Sequence, residues 1–476
     1  MEWIQMESHL YDNHLTAINY TVAGILVLLL VVQWHRTATA RLDLPVVGDI
    51  SQKDFRPALE EGAQKYPNTP FVLATTMHPT VILPVSLMDE IKGLPESTIS
   101  LRQRHYTIFL GKYTGFGEPC NELDVSIRSD LTHHLEQNLE NFQEEVAYAY
   151  DKYVGQCPDW TVIPVYDAVL GIVCLLSSRV FVGLPLSRDE DWIRVSTQYA
   201  MDAGHEAHSL SAYHPILRPC SDTKSDTQSG DLMRYVLRHY ESEPPMELLA
   251  RDQLVTSFVA MHTTTICITQ ALFDLAARPE YIPSLREELE GVIGKGGTQD
   301  CYLDKESVVK LRKIDSVVRE SQRMNPPGLV SMLRKVMKRD GLKLSTGQII
   351  PQGSVVGFSA HAISRSYPNA DEFDGFLFAK LRDTPVQSTM HQLTNTAPDH
   401  ISFGHGSHAC PGRFFAASEI KVILGYLLQN YDIRLLDGAT RLESVHVRAT
   451  VAPARENNFF PPKNDNKYQQ GRPPRR

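Results

Sequence analysis

The chain has 476 residues, 42% of them hydrophobic and 22% charged, which gives enough apolar mass for one oversized domain or two ordinary ones. The formal net charge of −9, with acids and bases mixed along the length, excludes the basic face that nucleic-acid binding requires, and no nucleic-acid partner is expected. Seven scattered cysteines, odd in number and without a Cys-x-x-Cys pair, exclude a disulfide framework and suit a reducing cytosolic face.

In chain order, residues 15–34 carry no formal charge, and Val22 to Val32 is apolar or glycine throughout. That is the length a bilayer-spanning helix needs. Glu2, Glu7 and Asp12 precede it, whereas Arg36, Arg41, Lys53 and Arg56 follow. The positive-inside rule then predicts a lumenal N-terminus over 1–14, a single-pass anchor over 15–34 and a cytosolic remainder. Ala38-Thr39-Ala40 would serve as a signal-cleavage site, but the basic n-region of a signal peptide is missing. Residues 35–50, with Leu44-Pro45-Val46-Val47-Gly48-Asp49, read as a stiff hinge.

Ser51–Tyr66 has helical spacing, and Phe71–Leu83 alternates like a pair of strands. Leu101–Gly117 is aromatic and glycine-bearing with little periodicity, and reads as an apolar loop. Helical patterns cover Val125–Tyr153 and Pro164–Phe181, and a helix then a loop fill Trp192–Arg218. Ser221–Asp231 is polar, and a long helix is predicted over Met246–Ala276. Inside it, Thr263-Thr264-Thr265 follows His262; threonine hydroxyls bond back to carbonyls of the preceding turn, and a bend there would open a groove. Lys313–Met324 is helical, with Glu320 and Arg323 on one face. Leu342–Phe358, with turns at Ser345-Thr346-Gly347 and Pro351-Gln352-Gly353, predicts a β-hairpin. Residues 51–462 form the expected domain, and 463–476 a polar, basic tail.

One stretch carries the chemistry. Phe403-Gly404-His405-Gly406-Ser407-His408-Ala409-Cys410-Pro411-Gly412 runs into a helical pattern from Arg413 to Asn430. Gly404 and Gly406 permit tight turns, and a cysteine before a helix start meets free N–H groups that favour thiolate. Such a thiolate can be an axial ligand of haem iron, where its electron donation promotes O–O cleavage. His405, His408 and Cys410 could instead form a metal-like cluster, or a mere glycine-rich turn.

This stretch closely resembles the cysteine-ligand loop of the cytochrome P450 family, Phe-x-x-Gly-x-x-x-Cys-x-Gly, at Phe403, Gly406, Cys410 and Gly412. The resemblance implies a mainly α fold with a smaller β region and haem b bound through Cys410. His408 then points to a haem propionate, and Arg334 is a second propionate partner. Thr263 matches the family's oxygen-activation threonine, and His262 stands where an Asp or Glu is commoner; histidine can also relay protons. Glu320 and Arg323 match the structural Glu-x-x-Arg clamp, whose usual third member, an arginine, is replaced by Leu377, with Arg382 nearby as a substitute. His361 and Arg365 fit the family's preceding short helix, and Leu101–Gly117 the segment that folds over the haem. The span from Pro219 to Pro245 is shorter than the family's usual pair of helices there.

The resemblance implies a fungal, microsomal monooxygenase anchored in the endoplasmic reticulum. It would oxidise a lipophilic secondary metabolite, a terpenoid or meroterpenoid, using O2 and electrons from NADPH passed through a membrane reductase. A haem-thiolate isomerase, dehydratase or peroxide user, or an impaired relic, is the alternative.

Overall fold

The computed structural model describes residues 43–49, 51–74, 80–199, 232, 236, 239–240, 244–293, 303–447, 449–454 and 458–460. The predicted lumenal segment, the anchor over 15–34, most of the hinge, Ser221–Asp231 and the tail after 462 lie outside them. Among the described residues no helix is long and apolar enough to cross a membrane.

The principal helices, in chain order, are α1 (Arg56–Lys65), α2 (Leu101–Ile108), α3 (Leu135–Tyr153), α4 (Val165–Phe181), α5 (Met246–Ala277), α6 (Ile282–Ile293), α7 (Arg312–Met324), α8 (Ala360–Ser364), α9 (Leu377–Leu381) and α10 (Arg413–Asn430). The α4 sequence is apolar nearly all round, the pattern of a helix enclosed on every side. Ile172, Val173, Leu175 and Leu176 are accordingly buried, packed between α3 and α5. Truncating Leu175 to alanine would cost about 2–5 kcal/mol, since its surroundings cannot collapse far. Helix α5 starts after Pro245 and stops at Arg278-Pro279, because proline has no N–H to continue the ladder. It runs unbroken through the threonines.

The strands, in chain order, are β1 (Val46–Val47), β2 (Phe71–Leu73), β3 (Thr80–Ile82), β4 (Ile99–Ser100), β5 (Thr161–Ile163), β6 (Val330–Val336), β7 (Leu342–Lys343), β8 (Ile349–Ile350), β9 (Val355–Ser359), β10 (Val445–Val447), β11 (Thr450–Ala452) and β12 (Asn458–Phe460), and the larger sheet has the order β1-β2-β3-β9-β6-β4. The predicted pair over 71–83 is antiparallel, with Phe71 opposite Ile82. Only the first part of the predicted 342–358 hairpin closes on itself, Leu342 pairing with Ile350. Its last run leaves for the larger sheet, because all five residues of Val355–Ser359 are buried and need cover on both faces. On β6 the register to β9 shifts between Ser331 and Arg334, and Met332 there takes a left-handed φ of 54°. Such bulges re-aim the side chains that follow; here the next one but one is Arg334.

The 101–117 segment differs from the loop expected. Leu101–Ile108 and Gly111–Thr114 are helical, and Ser100 caps the first by accepting the Gln103 N–H at 2.9 Å. Its polar run Arg102-Gln103-Arg104-His105 hides any apolar stripe. Tertiary packing on β6 sets the helix instead.

Candidate active site

The 403–412 loop is built by short backbone bonds. The Cys410 N–H donates to the Phe403 carbonyl at 2.8 Å, and the Gly404 N–H to Ile401 at 2.9 Å. Gly404 and Gly406 have φ of +70° and +79°, and a Cβ at Gly406 would collide with the Lys92 carbonyl. The loop is thereby docked on the 92–96 segment, where Ser407 donates to Lys92 through both its N–H and its hydroxyl. Gly412 differs. Its φ of −86° is ordinary and a Cβ there would meet nothing within 4 Å. Neither strain nor protein packing calls for glycine at 412; a planar group against the Cys410 loop would.

Cys410 is partly exposed at the start of α10, and its carbonyl accepts the Arg413 guanidinium at 2.9 Å. Burial raises its thiol pKa, while the Gly412 N–H and the Arg413 charge pull it down. Within the polypeptide alone, then, burial outweighs the helix-start effect, and thiolate is the state that a bound metal would select.

His405 and His408 do not converge with Cys410 as a metal cluster. The His405 Nδ1 lies 3.1 Å from the Thr396 hydroxyl. His408 Nε2 donates to the Leu94 carbonyl at 2.7 Å, and its Nδ1 faces Glu96 at 3.7 Å. The 94–96 segment thus engages both ring nitrogens of His408. Arg334 lies against the loop. It is 5% exposed, and it donates to the carbonyls of Leu333 at 2.9 Å and His408 at 3.3 Å.

Thr263 and His262 lie on α5. From Arg251 to Ala277 only Val259 and Thr263, one turn apart, are exposed. The Thr263 hydroxyl donates to the Val259 carbonyl at 2.8 Å, and Thr265 bonds back likewise to Met261 at 2.7 Å. Two exposed residues one turn apart in the middle of a helix otherwise buried or half-buried mark space kept open beside them. The His262 ring sits 5.8 Å from Phe258, which joins Phe109 at 5.7 Å and Phe116 at 5.0 Å in an aromatic cluster. His105 packs on Phe109 and Phe116, and burial beside Arg104 and Arg334 lowers its pKa to about 4.

Beneath the loop, Glu320 and Arg323 pair twice at 2.8 Å with side chains 0% and 4% exposed. The third member is not an arginine side chain. Glu320 Oε1 accepts the Asp374 N–H at 3.0 Å, and Arg323 donates to the carbonyls of Ser364, Ala370 and Glu372. Leu377 therefore leaves no carboxylate unpaired. Arg382 does not substitute in this clamp; it lies 3.5 Å from Asp315.

Asp315 is the centre of a second buried cluster that sequence reading missed. Its Oδ1 pairs with Lys421 of α10 at 2.5 Å and its Oδ2 accepts the Leu393 N–H at 2.7 Å. Glu419, two residues from Lys421, is also fully buried, its Oε1 accepting from Ser177 at 2.7 Å. Charged residues within the apolar runs Ile314–Val318 and Ile420–Leu424 were the available signal.

The Cytochrome P450 family profile matches residues 214–457. Cytochrome P450 monooxygenase ascG of Acremonium egyptiacum is 37% identical over 87% of this chain and 88% of its own length. Cytochrome P450 monooxygenase BOA4 of Botryotinia fuckeliana is 38% identical over 89% and 92%, and gliF of Aspergillus fumigatus 36% identical over 83% and 87%. With likeness of this extent, and a cysteine loop, clamp and open helix face that fit a haem held by thiolate, the chain belongs to the cytochrome P450 family of haem monooxygenases.

Proposed function

We propose that this monooxygenase inserts one oxygen atom into a lipophilic secondary metabolite of terpenoid or meroterpenoid type, with Cys410 as the axial haem ligand. The observation that carries the site assignment is the docked 403–412 loop, with its free cysteine at the start of α10 and the room kept beside Gly412. Bound there, the haem supplies oxygen activation with electrons passed from NADPH through a reductase. The protein supplies the rest. The Phe403 carbonyl and Arg413 fix the Cys410 backbone so that its sulfur is presented from a rigid loop. Thr263 offers a hydroxyl on the face of α5 that is exposed between Arg251 and Ala277, already oriented by the Val259 carbonyl. His262, adjacent in the chain, is read as the proton relay where the family more often has an acid. Phe109, Phe116 and Phe258 form an apolar wall that excludes water and favours an uncharged, lipophilic substrate.

The charge asymmetry around residues 15–34 supports a single-pass anchor in the endoplasmic reticulum with the enzyme domain in the cytosol. Incubation with reductase, NADPH and ¹⁸O2 and a panel of terpenoid and meroterpenoid skeletons tests the reading. A product carrying one ¹⁸O, formed only with NADPH, is expected. Turnover of a substrate without NADPH or O2 would assign an isomerase or dehydratase instead.

A further inference from the structure

Glu419 is a buried acid that the site described above does not use. It stands nine positions after Cys410 and less than two turns into α10, and it is 0% exposed. Its Oε1 accepts the Ser177 hydroxyl at 2.7 Å, and its Oε2 has no hydrogen-bond partner among the described residues. The nearest cation in sequence, Lys421, turns instead to Asp315 of α7 at 2.5 Å. The charged groups on the other elements packed against α10 are likewise engaged away from it. Glu145 of α3 holds Arg188 at 2.9 Å, Asp274 of α5 holds Arg441 at 2.5 Å, Arg286 of α6 holds Asp432 at 2.7 Å, and His133 of the 131–133 turn lies on the Ser129 carbonyl. On α4 the Cys174 thiol feels the Glu419 charge, and burial keeps that thiol protonated, up at about 11.

A carboxyl enclosed in this way, with one hydroxyl donor and no cation, holds its proton far more tightly than an exposed one. Burial raises the Glu419 pKa to about 8, against the Ser177 hydrogen bond. Near that pH its neutral and charged forms are close in free energy, so one added charge nearby redistributes the proton. Haem reduction adds such a charge at the start of the same helix, since the six residues from Arg413 to Glu419 rise only about 9 Å. A unit charge on the order of 12 Å from a buried carboxyl changes its proton affinity by about tenfold at an effective dielectric of about 20. We propose that Glu419 is a proton site coupled to haem reduction, taking up a proton from solvent as the electron arrives and so neutralising part of the added charge. One electron passes from the reductase to ferric haem, which becomes ferrous. One proton from bulk water converts the Glu419 carboxylate to the acid, in the fraction of molecules where it was ionised. The inference rests on Cys410 as the haem ligand.

The midpoint potential of the substrate-free holoenzyme, titrated spectroelectrochemically from pH 6 to pH 9.5, tests this in wild type, Glu419→Gln and Ser177→Ala. An ionised Glu419 disfavours the incoming electron, so the wild-type potential should fall relative to Glu419→Gln as pH rises through the titration of the acid. Below pH 7, where both side chains are neutral, the difference between the two should stay constant. Ser177→Ala loses the hydrogen bond that favours the carboxylate and should move the fall to higher pH. Potentials of wild type and Glu419→Gln that run parallel over the whole range would overturn the proposal. If Glu419→Gln holds no haem, Ser177→Ala decides, and a fall at the wild-type pH would overturn it as well. Failure of the haem assignment would look different: the wild-type CO complex would lack a thiolate band before any potential was measured.

Discussion

Single side chains at this site are legible in proportion to how locally they are fixed. Cys410 stands in one short stretch whose turns at Gly404 and Gly406, with φ of +70° and +79°, favour glycine, so the stretch is visible in the sequence. The contact of His408 with the Leu94 carbonyl was not legible, because the two lie 314 positions apart along the chain. Thr263 belongs to the legible group: its back-bond to Val259 is local, and its exposure on a buried helix follows from the space beside it. Thr263→Ala should keep the fold, because an exposed hydroxyl bonded only to its own helix contributes little to stability. Proton delivery should suffer instead, so product formed per NADPH consumed should fall by about tenfold or more, with the remainder appearing as peroxide or water. Parallel assays of NADPH, peroxide and product check this; unchanged coupling would remove Thr263 from the mechanism.

At the scale of elements, long periodic helices were read within a few residues. Met246–Ala277 was legible from its bounding prolines and Arg312–Met324 from its spacing. What could not be read was which carboxylates the elements share. Asp315 ties α7 to Lys421 of α10 and to the 393 backbone, contacts 106 and 78 positions apart that no local pattern encodes. This cluster joins the helix after the cysteine to the clamp helix, so it positions the ligand loop from below. In Asp315→Ala, Lys421 and Arg382 are left buried without their carboxylate, a loss of about 3–5 kcal/mol. Thermal unfolding of the holoenzyme should show a lowered midpoint, accompanied by partial loss of haem. A change within about 0.5 kcal/mol would mean that the cluster contributes no such stability.

For the molecule as a whole, Glu419 links pH to stability. Its carboxyl is fully buried between α4 and α10, its Oε2 has no partner among the described residues, and burial raises its pKa from 4.5 to about 8, against the Ser177 hydrogen bond. The native state therefore holds a proton that the unfolded chain has released at any pH between those values. Stability contributed by this group is present below 4.5 and is lost as pH rises toward 8, at up to about 1.4 kcal/mol per pH unit. Glu419→Gln keeps an acceptor for Ser177 and removes the titration, so its melting temperature should exceed that of wild type by a margin that grows from pH 5 to pH 8. A constant difference across that range would show that Glu419 does not titrate there.

The central claim is that Cys410 holds the haem as a thiolate, and the carbon-monoxide difference spectrum of the reduced protein tests it most directly. Wild type should give the red-shifted Soret band of a thiolate-ligated CO complex, and Cys410→Ala should not, although its fold persists by circular dichroism. A thiolate band surviving in Cys410→Ala, or no haem band in well-folded wild type, would contradict the assignment.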